Sequence, residues 1–311
     1  MAHRALIAIA FVIAPALCTA QDLAPRAYLP LPVSSNAVIL TYGFSDGELL
    51  FDPTLPITDA TGIIHAPVLT LYHAFNFFGR SANITGSLPY AIGDFEGLVS
   101  GQQRAAHRSG MADIMVRMAV NLLGAPSLSP AAFVKTPLPR SMLGASLKVL
   151  APTGKYDPTL LINVGTNRWA FKPELGYTRR AGPVTLDMYA GVWFFTSNNE
   201  FYNGGATAPL NTRTQEPIGA FEFHVSYDVK PRLWISADIN YWRGGRTSVN
   251  TRESTNSLQA NSRVGVTGSV PLSRRQSLKI SYSEGMIVRI GGNFRILSVG
   301  WQYGWVGKPF S

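Results

Sequence analysis

The chain has 311 residues, 46% of them apolar and only 14% charged, against about 25% charged in an ordinary soluble domain. With 16 Phe, 12 Tyr and 6 Trp it carries too much large apolar surface for a disordered chain. The net charge of +9 is spread singly, with Arg179-Arg180 and Arg274-Arg275 as the close pairs, so the basic run of a nucleic-acid-binding protein is missing.

His3 and Arg4, then apolar Ala5–Leu17, then Cys18-Thr19-Ala20 read as a secretory signal peptide (1–20) cleaved after Ala20. Pro15 occupies the place where a lipoprotein cysteine at position 18 would need Leu. The single cysteine lies in this leader, so the mature chain gains nothing from disulfide or thiol chemistry. Residues 21–35, with Pro25, Pro30 and Pro32, read as an extended N-terminal arm. Beyond the leader no uncharged apolar run suits a membrane-crossing helix. The longest candidate, Ala66–Phe78, is short and contains His73 and Asn76.

From residue 36 onward the dominant pattern is period-two alternation, which places apolar and polar side chains on opposite faces of a strand. Phe221, Phe223, Val225 and Tyr227 alternate with Glu222, His224 and Ser226. Leu233, Ile235, Ala237, Ile239 and Tyr241 alternate with Ser236, Asp238 and Asn240. About twelve such segments are present, near 36–44, 66–77, 81–91, 111–122, 140–150, 167–179, 183–195, 217–229, 231–242, 260–270, 276–286 and 292–305. The connections 45–65, 92–110, 151–166, 196–216 and 243–259 are long and read as loops. Most of those between them are short turns; 123–139 is a long exception and 287–291 a short one. The pattern predicts an all-β, single-domain fold over 36–311: a closed antiparallel transmembrane β-barrel of about twelve strands in up-and-down order.

The bulky apolar phase is expected to face lipid, since backbone polar groups in a bilayer are satisfied only by a helix or a closed barrel. The polar phase then lines the lumen with Asp113, Arg117, Lys148, Lys172, Glu174, Asp187, Glu222, His224, Asp238, Arg263 and Lys279. Acids and bases are nearly balanced in that set, which predicts a narrow, salt-bridged passage of weak ion selectivity. Aromatics at strand ends (Tyr42, Phe44, Tyr90, Trp169, Tyr177, Phe194, Tyr227, Trp242, Trp301 and Trp305) are expected to form the interfacial girdles.

Chemical motifs are sparse. Ala151–Pro158 has the look of a phosphate loop but lacks its first glycine and carries Tyr156 where Ser or Thr should hold magnesium. His65, His73, His107 and His224 show no metal-ligand spacing, so neither a metal nor another cofactor is expected. His73 shares the lipid-facing phase with Leu69, Leu71 and Phe75, where a titratable group is costly. A hydrolase would place a Ser or an acid beside it. The alternative is a neutral ring at the barrel wall.

Five stretches resemble a bacterial outer-membrane family labelled for the meta-pathway of phenol degradation: LKVLAPTGKYDP (147–158), NVGTNRWAFKPELGYTRR (163–180), VTLDMYAGVWFFTSNNEFYNGG (184–205), YDVKPRLWISADINYWRGGRT (227–247) and RILSVGWQYGW (295–305). The resemblance covers the last 170 residues or so well and the rest loosely. It implies an outer-membrane transporter or channel for passive uptake of small, often aromatic or apolar, compounds, with no catalytic residues to carry over. The expected surroundings are outer-membrane lipids, a small-molecule solute and the barrel assembly machinery. Two other readings compete: a barrel enzyme of the lipid-hydrolase type, and a non-transporting structural or surface-binding barrel. One departure is that the sequence ends Lys308-Pro309-Phe310-Ser311, so the aromatic of an outer-membrane terminus is penultimate.

Overall fold

The computed structural model describes residues 24–51, 57–203, 209–254 and 256–307. The leader with its cleavage point and the 308–311 terminus lie outside the described residues. The first five strands are β1 (Ser35–Leu50), β2 (Ile57–Phe77), β3 (Arg80–Val99), β4 (Gln102–Met111) and β5 (Ile114–Leu123). After the one-and-a-half-turn helix α1 (Pro130–Lys135) come β6 (Ser141–Ala151), β7 (Ala170–Ala181), β8 (Val184–Phe195), β9 (Asn198–Phe201) and β10 (Asn211–Gln215). The chain finishes with β11 (Ile218–Lys230), β12 (Leu233–Gly244), β13 (Thr247–Val249), β14 (Arg252–Glu253), β15 (Gln259–Pro271), β16 (Gln276–Ile287) and β17 (Gly291–Val306).

Every strand of the main sheet pairs antiparallel with its neighbours, and β1 pairs with both β2 and β17, so the sheet closes on itself. Strands β4 and β5 are one stave broken at Ala112-Asp113: β4 continues the upper part of β3 and β5 the lower part. Counted so, the barrel has twelve staves. The closing seam is long, running from Ser35 opposite Val306 to Leu50 opposite Gly291. Closure leaves no edge with unpaired N–H and C=O groups, which a bilayer requires.

Alternation fixes the two faces. On β11, Phe221 is 59% exposed while its neighbours Glu222 and His224 are buried. On β12, Ile235 at 53% flanks Ser236 and Asp238 in the same way. The exposed set is a belt of Leu, Ile, Val and Phe on the outside; the buried set is polar and charged and lies inside. A soluble protein shows the reverse. The chain therefore forms a transmembrane β-barrel.

Two expectations about loops are corrected. Segments 45–65 and 92–110 are largely strand, because β1, β2, β3 and β4 run on as paired hairpins beyond the membrane. At 16, 21 and 20 residues, β1 to β3 exceed the 9–11 residues or so that a tilted strand needs to cross. Gly and Asp in Ser45–Glu48 suggest a loop, yet Asp46 stands opposite Arg295 and Glu48 opposite Asn293 in the ladder. Segments 196–216 and 243–259 supply a separate sheet in the order β14-β13-β10-β9, which stands at the loop end of the barrel.

At the opposite, turn end, the long connection 124–140 folds back under the barrel. Ser129 caps α1 by accepting from the Ala132 amide at 3.3 Å. Its neighbour Leu128 accepts from the Val33 amide at 2.9 Å, and the Ser34 amide donates to Ala74. These bonds anchor the root of the N-terminal arm.

Candidate functional site: a plugged and layered lumen

The wall from β5 to β15 carries the inward charges. Arg117, Lys148 and Lys172 stand side by side in register across β5, β6 and β7. Like charges directly opposite repel, so each needs a partner elsewhere. Lys172 Nζ lies 2.7 Å from Glu174 and 2.8 Å from Glu222. Both Lys148 and Lys172 approach the face of the Trp193 ring, at 6.0 and 5.9 Å. The Arg117 guanidinium reaches to 3.8 Å from Glu174.

The network continues onto β11, β12 and β15. Glu222 lies 3.6 Å from His224 Nε2, and His224 Nδ1 is 2.8 Å from Asp238. The other Asp238 oxygen accepts from the Thr267 hydroxyl at 2.7 Å. Asp187 accepts from the Thr178 hydroxyl, and Arg263 donates to Ser283 and to the Phe294 carbonyl. Ionised groups this deeply placed persist only when paired and hydrogen-bonded.

Into this layer, from the turn end, reaches the N-terminal arm. The Arg26 amide donates to Asp187 at 3.0 Å. Its side chain donates to Ser226 at 2.8 Å and to Asp228 at 2.6 Å, and lies over the Trp234 ring. The Ala27 amide donates to the Tyr189 hydroxyl. Tyr28 is 1% exposed; its hydroxyl donates to Glu174 at 2.9 Å and sits 3.0 Å from the Ser146 hydroxyl. Its ring meets Tyr189 edge-on and lies under the Arg117 guanidinium. Gly144 on β6 and Gly176 on β7, opposite each other in the ladder, make the slot: a Cβ on either would overlap the Tyr28 ring.

At the loop end the lining turns apolar. Leu150, Ala170, Trp193, Ile218, Ala220 and Trp242 form one buried cluster, with Met115 and Phe195 against it. Across the lumen Leu49, Ala60, Ile64, Phe95 and Phe294 form a second. The remaining wall is less crowded: Thr41, Thr70 and Ser298 point inward and stay partly exposed, and Lys279 on β16 shares their phase. From loop end to turn end the β5–β15 wall therefore reads apolar, then charged, with the arm entering from the turn end.

Of the sequence-predicted lumen residues, Arg117, Lys148, Lys172, Glu174, Asp187, Glu222, His224, Asp238 and Arg263 are brought together in the buried charge layer. Lys279 shares the inward phase with Ser281 and Ser283 but is exposed near the turn end. Asp113 has a different task from the one the alternation suggests. It sits at the β4–β5 break and accepts from the Gly154 amide and from the Thr166 amide and hydroxyl, clamping the 152–169 loop. Asp113→Asn should loosen that loop by about 1.5–3 kcal/mol, the worth of a charged hydrogen bond. Faster tryptic cleavage after Lys155 would report it; an unchanged cleavage rate would show that the clamp is unimportant.

Among the girdle residues, Tyr42, Phe44, Tyr90, Trp169 and Phe194 face outward toward the loop end, and Tyr177, Tyr227, Trp301 and Trp305 toward the turn end. Trp242 is a correction. It is 1% exposed inside the lumen, where Nε1 donates to Gln259 at 3.0 Å. The outward phase of β12 belongs to Ile239 and Tyr241, so Trp242 follows Asp238 and Asn240 inward. The sequence reading missed Arg26, Tyr28, Trp193 and Tyr189. Trp193 and Tyr189 share the inward phase of Asp187, which is a usable signal. The arm residues gave none, because their partners lie 118 to 202 positions away.

His73 resolves simply. Its Nδ1 lies 2.7 Å from the Asn36 side-chain oxygen on the neighbouring strand, and its ring stacks on Phe75. Among the described residues no group of three His, Cys, Asp or Glu side chains is placed to hold a metal ion.

The comparisons with known proteins agree with this architecture. Residues 59–288 match the family described as "Putative MetA-pathway of phenol degradation". The chain belongs to this family. In fold it is similar to the COG4313 outer membrane channel from Pseudomonas putida F1, with a TM-score of 0.77, 18% identity, and coverage of 91% of this chain and 100% of that one. A more distant likeness, at TM-score 0.52 and 11% identity, is to the beta domain of the Bordetella autotransporter BrkA, covering 87% of this chain and 100% of that one. No curated protein matches the sequence. As a phenol-degradation-family barrel, the chain has the fold of an outer-membrane channel.

Proposed function

We propose that the protein is an outer-membrane channel for passive uptake of small aromatic or apolar compounds, exported by a leader removed after Ala20 and inserted by the barrel assembly machinery with its long loops outside. The observation that carries this reading is the change of lining along the lumen. At the loop end the buried Trp193 and Trp242 back an apolar lining at whose edge Phe195 is partly exposed, and such aromatic surface holds aromatic solutes at little entropic cost. Below them, inorganic ions meet charges already neutralised by one another, which supports the narrow passage of weak selectivity. The sparsely charged wall of Thr41, Thr70 and Ser298 is the side along which a solute would pass the arm. The channel fold shared with the COG4313 protein supports the same reading.

The hydrolase alternative expects a Ser or an acid at His73, and that ring nitrogen instead faces the amide of Asn36. Uptake is tested with refolded protein in vesicles whose outer leaflet is lipopolysaccharide, measuring phenol and benzyl alcohol against neutral sugars of similar size. The aromatics should enter faster than in protein-free vesicles and faster than the sugars, and bilayer recordings should show small, weakly selective steps. Equal rates for sugars, or large steps of one ion sign, would contradict the reading.

A further inference from the structure

Two arginines stand above the loop-end apolar cluster, and the acid whose charge reaches Arg168 is Asp113. Arg168 precedes β7, and Arg213 lies on β10 in the small outer sheet; each is 8% exposed. Arg168 Nη2 donates to the Gln215 side-chain oxygen, while its Nη1 is buried with no hydrogen-bond partner. Arg213 lies over the Phe201 ring at 5.2 Å, and Arg168 over Phe195 at 4.4 Å. Among the described residues neither makes an ion pair. The acids nearby are committed elsewhere: Asp113 to Gly154 and Thr166, and Glu200 to the Asn167 amide. The Tyr156 hydroxyl donates to the Glu200 carbonyl and accepts from Asn198.

Burial, and then the charge of Arg213, pull the Arg168 guanidinium down to about 9, and burial pulls Arg213 down to about 10. Both stay protonated at neutral pH. Two like charges thus lie buried within reach of each other's field, Arg168 with an orphaned donor and each guanidinium over an aromatic ring, a costly arrangement for the empty protein that an anion would relieve. Arginine forks match carboxylates in a planar, two-bond geometry.

We propose that Arg168 and Arg213 form an anion site at the loop end of the lumen that captures small aromatic carboxylates, with the carboxylate at the two guanidinium groups and the ring beside the partly exposed Phe195. This inference rests on the uptake reading and names a class of solute for it. Phe195 stacks on Trp193 at 6.4 Å, and Trp193 leads down to Lys148 and Lys172, so the aromatic floor continues into the charge layer.

The test uses the refolded full chain with benzoate and benzyl alcohol as probes, read by calorimetry and by quenching of tryptophan fluorescence. Benzoate should bind saturably and at least about tenfold more tightly than benzyl alcohol, a preference that added salt weakens. Arg213→Gln and Arg168→Gln should each remove most of that preference, and Arg213→Lys only part of it, while benzyl alcohol binding stays unchanged. Benzoate binding no tighter than benzyl alcohol in the unaltered protein overturns the inference, whether or not the variants fold. So does a folded Arg168→Gln, Arg213→Gln double variant that keeps the preference. Benzyl alcohol flux without benzoate preference sinks the anion site alone. Absence of any flux sinks the uptake reading, and benzoate binding at equilibrium still decides whether the site exists.

Discussion

Tyr28→Ala should raise the single-channel conductance several-fold over the unaltered protein in planar bilayers. The substitution removes a fully buried ring from the lumen, together with its hydroxyl contacts to Glu174 and Ser146. Truncating a buried aromatic costs about 3–5 kcal/mol. What then holds the arm is the polar set made by Arg26 and Ala27, where net worth per bond is about 0.5–3 kcal/mol. The same result should come from the wall. Gly144→Ala or Gly176→Ala puts a methyl group where the Tyr28 ring lies, and so expels it without touching the arm's own sequence. Tyr28→Phe keeps the ring in its slot and should change conductance little. If Tyr28→Ala and the two glycine variants all conduct like the parent, the arm does not limit the passage.

Glu222→Ala should be the most destabilising single change in the charge layer. Glu222 links Lys172, at 2.8 Å, to His224, at 3.6 Å, and all three are almost fully buried. Removing Glu222 leaves Lys172 with Glu174 alone and His224 with Asp238 alone, so the loss should lie toward the lower end of the about 3–5 kcal/mol that breaking a buried pair costs. A lower urea midpoint for unfolding of the refolded barrel would show it. The lumen also loses a negative charge, so the reversal potential under a salt gradient should move toward anion preference. Adding Lys172→Met should cost less on the Glu222→Ala background than in the parent, since the two residues interact directly and their effects do not add. A single variant within about 0.5 kcal/mol of the parent would mean that Glu222 is not the link, that being the size of an ordinary surface change.

Much of the barrel is legible in the sequence because one face of each stave touches lipid and the other a polar lumen. In β11 and β12 that contrast sets the phase from Phe221 to Tyr227 and from Ile235 to Tyr241. Elsewhere the signal fades for stated reasons. The hairpin extensions of β1 to β4 have left the lipid, so their outer face is polar: Asp46 and Glu48 stand exposed there, and Ser45–Glu48 shows no apolar alternation to distinguish strand from loop. Trp242 was misplaced because aromatic character at a strand end outweighed the phase of its neighbours. The charge layer is readable as a set of inward residues, but which base meets which acid depends on register between strands; Lys148 stands opposite Lys172, with no acid between them. The arm is the clearest failure. Nothing near Arg26 or Tyr28 in the chain names Asp228 or Glu174 as their partners. The two glycines that admit the ring are ordinary small residues until the ladder sets them opposite each other. Arg168 and Arg213 lie in segments without periodicity, and only their burial distinguishes them from other loop cations.

The closing seam has a consequence for biogenesis. Ser34, at the root of the arm, accepts from the Gly307 amide just past the last stave, so the first and final stretches of the chain meet where the cylinder is sealed. A ribosome releases these partners at opposite ends of synthesis, and the seal therefore waits for the whole polypeptide. Because the arm leads straight into the first stave, sealing the cylinder also fixes the point from which the arm enters it.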